Sequence, residues 1–189
     1  MKGKSMRLHF NEIKATQAAA RLLKKRGTRM KYLKLIKLLY LADREALSRW
    51  GRPITTDHYV SMDNGPVLSE VLKRIDDGSA PGEQTFWTSH IVPCGDWDVQ
   101  LIADPADGRL SEAEDEVLDH IFDQYGHRNR WAIVDYVHTL PEWKDPSGSA
   151  IPIEYREILK AVNKSEEEIQ AIENELTGLA RVDDLCAAR

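Results

Sequence analysis

The stretch MKYLKLIKLLYLADREALSRWG, Met30 to Gly51, decides the fold. At about 100° per residue, Leu33, Ile36, Leu39, Tyr40, Ala46, Leu47 and Trp50 make a broad apolar helical face. Lys31, Lys34, Lys37, Arg44, Glu45 and Ser48 make the polar side. Met30, Leu38 and Leu41 intrude upon that polar sector, and Asp43 lies among the leucines of the apolar one. A helix wetted along one whole side has no use for those three apolar residues. The spacing therefore predicts a helix enclosed on more than one side, by its own chain or by a partner protein. Buried alone, the Asp43 carboxylate would be costly, so it is expected to accept hydrogen bonds from backbone N–H groups or from Tyr, His or Trp.

Working outward, Asn11 to Lys25 reads as a first helix, with Ile13, Ala20 and Leu23 on one side and Gly27 as its stop. Thr28 is then placed to cap the next helix, which is expected to begin near Arg29. Downstream, TTDHYVSM reads as a short strand, Asp63-Asn64-Gly65 as a turn, and Pro66 as the first residue of a third helix. Asp76 to Gln84 is rich in turn formers and reads as a loop. TFWTSHIV and WDVQLIA, on either side of PCGD, read as a β-hairpin. Ser111 and Glu114 spell a capping box for a helix ended by Gly126, and a further helix follows Asn129 and stops at Pro141. After a loop carrying Trp143, the tail holds helical pieces at Ile153 to Ala161 and Glu166 to Ala180, the second capped by Ser165 and Glu168. The expected fold is mainly α (α+β): a bundle of six or seven helices with a small β-hairpin or short antiparallel sheet. Residues 1–150 are expected to form one domain and 151–189 a C-terminal helical extension packed on or beside it.

Composition sets bounds on function. With 189 residues, 42% hydrophobic and 30% charged, the chain has the make-up of a single globular unit. No apolar run approaches the roughly 20 residues of a membrane span, and no apolar stretch follows the basic N-terminus as in a secretory signal. A cytoplasmic location and no membrane partner are expected. Cys94 and Cys186 stand far apart without metal-type spacing, which indicates neither zinc nor a disulfide framework. A net charge of −5 disfavours general affinity for nucleic acid. The basic run from Arg21 to Lys31, continued by Lys34 and Lys37, is read as a solvated, salt-bridged face; its alternative is a DNA-binding surface for autoregulation. A helix-turn-helix at KKRGTRMK is disfavoured, because Met30 to Trp50 is too long and apolar for a recognition helix.

Signatures of hydrolases, zinc peptidases, P-loop proteins and dinucleotide-binding enzymes are missing from the sequence. His120 and His127 fall on either side of a helix end, and Pro141 breaks the helical spacing between His138 and Glu142. His138 is read as closing a helix end rather than as a catalytic or metal-binding group, and Trp143 as a lid on the core, with partner binding as the alternative. No enzyme activity, cofactor or metal is expected.

Three blocks of sequence, in order, resemble the Panacea domain, the SocA-like antitoxin family. The first is Lys37-Leu38-Leu39-Tyr40-Leu41-Ala42-Asp43, and the second is Asn64-Gly65-Pro66-Val67 after a short strand. The third is a capped helix ending in Tyr125-Gly126, then a helix leading to His138-Thr139 and Pro141-Glu142-Trp143. The resemblance covers about Ile13 to Pro146; it departs at Asn64, where the family often has an aromatic residue. It implies a non-catalytic antitoxin of a toxin–antitoxin system, of the kind carried on prophages and mobile elements, that binds a cognate toxin encoded beside it. A protease or chaperone is a further implied partner, since a SocA-type member acts as an adaptor that delivers its toxin to a protease. The motif positions it marks are Lys37, Tyr40, Asp43, Gly65, Pro66, Val67, His138 and Trp143, with Gly65 and Pro66 acting through folding.

Overall fold

A computed structural model describes residues 8–77, 84–106 and 108–187. In chain order it contains α1 (Glu12–Lys25), β1 (Arg29–Lys31), α2 (Tyr32–Trp50), β2 (Tyr59–Met62), β3 (Gly65–Leu68) and α3 (Ser69–Asp77). These are followed by β4 (Ile91–Cys94), β5 (Asp98–Leu101), α4 (Glu112–Tyr125), α5 (Arg130–Val137), β6 (Ile151–Ile153), α6 (Tyr155–Ala161) and α7 (Glu166–Ala187). The strands form two small antiparallel sheets, ordered β1-β5-β4 and β3-β2-β6. The mainly helical fold with a small antiparallel component is as expected from the sequence.

Helix α2 is the axis of the molecule. It packs against α1, α3, α4, α5, α6, β1 and β3, so the chain itself covers nearly its whole circumference. Leu38 and Leu41, which intrude on its polar sector, are at most 4% exposed, and Met30, which falls in β1 before the helix, is 5% exposed. Each such burial stabilises the fold by about 1.5–3 kcal/mol relative to exposure. The enclosure of these residues is thus internal.

Local chemistry accounts for most element ends. Asn11 caps α1 by accepting from the Lys14 N–H, Asn129 caps α5 by accepting from Ala132, and the Ser111–Glu114 capping box opens α4. Ser165 and Glu168 exchange the same pair of bonds at the start of α7. Gly51 ends α2 in the left-handed conformation at φ +75°. A side chain there would also press on Ile172 of α7, whose Cγ1 lies 2.7 Å from an ideal Cβ. On the surface between α1 and α4, Lys14 pairs with Glu114 at 2.5 Å, and Arg21 pairs with Asp119 at 2.8 Å and with Asp115 at 3.1 Å. The basic residues of α1 therefore form the salt-bridged face expected of them.

Several expectations about the backbone need correction. Thr28 does not cap α2: at φ +70° it completes a Schellman ending of α1, its N–H donating to Leu23 O and that of Gly27 to Lys24 O. Arg29–Lys31 is then a strand paired with Gln100, Val99 and Asp98, and α2 begins only at Tyr32. Pro66 opens no helix but sits in β3, an edge strand, where its missing N–H costs no ladder bond. Residues 86–90 form a turn before the β4–β5 hairpin rather than part of it. Ile151–Ile153 joins β2 as a third strand, and α7 runs to Ala187, beyond the expected Ala180. The loop expected at Asp76 to Gln84 falls mostly outside the described residues.

Candidate functional site: the buried motif cluster

Lys37 marks the centre of the first cluster. Its side chain is 0% exposed, which corrects its placement on the polar side of the helix; Lys34, at 5%, is buried as well. Lys34 Nζ donates to the carbonyls of Gly126 (2.5 Å) and Arg128 (2.7 Å), holding the α4–α5 turn, and Lys37 Nζ donates to Pro66 O (2.7 Å), holding β3. Burial pushes the Lys37 amine down to about 7. Gly65, at φ +93°, lets the chain pass close: an ideal Cβ would lie 2.6 Å from Val137 Cγ2 and 3.5 Å from both Lys37 Cε and His138 Cδ2. His138 ends α5 and stacks on Trp143, with ring centroids 4.2 Å apart and planes at 28°. Trp143 Nε1 in turn donates to Met62 O at 3.2 Å. The sequence-predicted Lys37, Gly65, Pro66 and His138 thus meet at one place, with Trp143 as the half-buried lid. Val67 is buried beside them in β3.

Asp43 organises a second cluster on the other side of α2. Its Oδ1 accepts from the backbone N–H groups of Ile54 (2.8 Å) and Thr55 (2.9 Å). Its Oδ2 accepts from the hydroxyls of Thr55 (2.5 Å) and Tyr59 (2.9 Å). These are the donors expected, a backbone and a tyrosine, with Thr55 in addition. Complete burial raises its carboxyl to about 6, against the opposing pull of those four bonds. Nearby, Asp57 caps α3 from a distance in sequence, accepting from the N–H groups of Glu70 and Val71 at 2.9 Å each. Burial raises its carboxyl to about 7. Tyr155 from α6 donates to Asp57 O (2.8 Å) and meets Tyr59 edge to face, as Tyr59 meets Tyr40, each with centroids 5.5 Å apart.

Tyr40 links this row to a third contact. Its hydroxyl donates to Glu142 Oε1 at 2.9 Å, and Arg44 Nε donates to the same oxygen at 2.7 Å. Glu142 is 3% exposed, and its Oε2, like His138 Nε2, is buried without a hydrogen-bond partner among the described residues. Burial, together with the Glu142 charge, holds the Tyr40 phenol well above its ordinary range.

The arrangement ties connecting segments to one central helix. Three side chains of α2 reach out to three loops: Lys37 to the β2–β3 hairpin, Asp43 to the segment after α2, and Tyr40 to the segment after α5. Among the described residues no cluster of three or more His, Cys, Asp or Glu has the arrangement of a metal site, and no helix is long and apolar enough to cross a membrane. Sequence reasoning missed Thr55, Asp57, Tyr59, Arg44, Glu142 and Tyr155. Of these, Glu142 carried a signal, since it stands between Pro141 and Trp143 in the third motif block.

The fold and its clusters define a small α+β protein whose motif residues brace a central helix. The profile of the family described as antitoxin SocA-like, Panacea domain, matches residues 35–144, more than half of the chain. The chain belongs to that family. All eight motif positions lie inside the matched segment; β6, α6 and α7 lie beyond it. No match was found among curated proteins or among solved structures.

Proposed function

We propose that this protein is a non-catalytic antitoxin that neutralises a toxin encoded beside it by stoichiometric binding. Family membership over residues 35–144 carries the proposal. The burial of the motif supports it: Lys37, Tyr40 and Asp43 are 0% exposed, so they specify a common scaffold and leave partner choice to the surface. Autoregulation through the basic stretch has less support. Lys34 and Lys37 are buried, Arg21 and Lys25 pair with acids of α4, and Arg29 and Lys31 pair with Asp98.

The test is growth rescue. The adjacent gene is expressed from an inducible promoter with and without this protein, and the two products are co-purified. Rescue with a co-purifying pair of fixed stoichiometry supports sequestration. Rescue accompanied by disappearance of the neighbour, reversed in strains lacking a cytosolic protease, would replace sequestration by delivery. A harmless neighbour, or toxicity unaffected by this protein, refutes the antitoxin role.

A further inference from the structure

Two exposed tryptophans stand out at one end of the molecule. Trp97, 68% exposed, sits at the tip of the β4–β5 hairpin, and Trp131, 51% exposed, in the first turn of α5. They border a groove of about 270 Å³ with Tyr32, Leu33, Asn64 and Arg130. Four element ends therefore converge: the start of α2, the β2–β3 turn, the hairpin tip and the start of α5. Trp97 has φ +69°, a conformation that bulky residues rarely adopt, and its backbone O accepts from the Tyr32 N–H at 2.9 Å while the Tyr32 ring lies 6.1 Å away. Trp131 carries the Arg130 guanidinium over its ring at 5.0 Å.

The charge beside the groove is mostly positive. A second depression shares Lys31, Arg130 and Trp131 with the first and is lined also by Arg26, Arg29 and Arg128. Its one carboxylate, Asp98, is already engaged by Arg29 (2.7 Å) and Lys31 (3.1 Å). Arg26, Arg128 and Arg130 form no ion pair among the described residues; Arg128 lies over the Tyr125 ring at 4.9 Å. A chain of net charge −5 thus gathers unneutralised arginines around exposed indoles at this one place. Tryptophan, tyrosine and arginine in a groove are the residue types that dominate binding energy between proteins.

We propose that this groove is the docking site for the partner protein, which presents an acidic segment to Arg26, Arg128 and Arg130 and an apolar side chain to Trp97 and Trp131. The assignment rests on the antitoxin reading and adds to it a location and a chemistry. A protein is favoured over nucleic acid because the negative charge of the whole chain opposes a polyanion at long range, and because Asp98 interrupts the basic surface. Arg128→Glu and Arg130→Glu leave α5 intact, since acidic side chains are favoured at its positive N-terminal end.

The test titrates the purified product of the adjacent gene against the wild-type protein, the Trp97→Ala/Trp131→Ala variant and the Arg128→Glu/Arg130→Glu variant. The expected result is wild-type binding that weakens with salt, and at least a tenfold loss in each variant with melting unchanged. If a double variant melts early, Arg26→Glu and Arg128→Glu singly are expected each to weaken binding severalfold. Full-strength binding by folded variants overturns the groove and leaves the antitoxin reading standing. No binding by the wild type overturns both. A duplex of the upstream region, bound by the wild type and released by the charge reversal while the neighbour still binds, overturns the assignment in favour of nucleic acid.

Discussion

Replacing Asp43 by alanine strips four buried donors of their acceptor: the N–H groups of Ile54 and Thr55 and the hydroxyls of Thr55 and Tyr59. At about 1–2 kcal/mol for each group left unpaired, the loss is about 4–8 kcal/mol. Against it stands the relief of a buried charge. The carboxyl rises from 3.8 to about 6 on folding, which at about 1.36 kcal/mol per unit is worth about 3 kcal/mol at neutral pH. The net expectation is a destabilisation of about 1–5 kcal/mol, a fall in Tm of about 3–15 °C for a chain of this size. Asp43→Asn keeps an oxygen for the two backbone N–H groups and removes the charge, so it should melt within about 4 °C of wild type at pH 7. The two proteins part company in acid. With a folded value above the unfolded one, the native state holds the extra proton between pH 3.8 and about 6, and stability falls as pH rises through that window. Wild type should therefore gain up to about 3 kcal/mol on Asp43→Asn between pH 7 and pH 4. Circular-dichroism melts of the three proteins at both values decide it. Unchanged melting of Asp43→Ala, or a wild-type-to-Asp43→Asn difference that does not move with pH, would refute the reasoning.

Two further predictions concern the other cluster. Lys37→Met removes a buried amine whose value drops from 10.5 to about 7, a burden of about 5 kcal/mol below pH 7, at the loss of one bond to Pro66 O worth about 1 kcal/mol. Because the unfolded chain binds the additional proton between about pH 7 and 10.5, wild-type stability should climb across that range and the variant's should not; equal slopes in urea titrations would count against it. Gly65→Ala combines a positive φ with a Cβ 2.6 Å from Val137 Cγ2 and should cost about 2–5 kcal/mol. Gly148→Ala, also at positive φ but with open space around it, should cost only about 1–2 kcal/mol, and equal losses would show that the Val137 contact is unimportant.

What the sequence by itself determined was local. The capping boxes at Ser111 and Ser165 and the helix ends at Gly27 and Gly126 are read correctly because each closes its bonds within a few residues. The same holds for the three motif blocks, which name the family and pick out residues that prove to be neighbours. Only the tertiary structure decided the strands at Arg29–Lys31 and Ile151–Ile153, since three residues gain a ladder only from partners some 70 and 90 positions away. It also decided the place of Lys37 and Lys34. Helical arithmetic sends a lysine to solvent because its charge is costly to bury, but a carbonyl delivered by a distant loop can hold the amine inside. For the same reason the enclosure of α2, legible as surplus leucines, could be credited to the chain itself rather than to a partner only once seven other elements were seen around it.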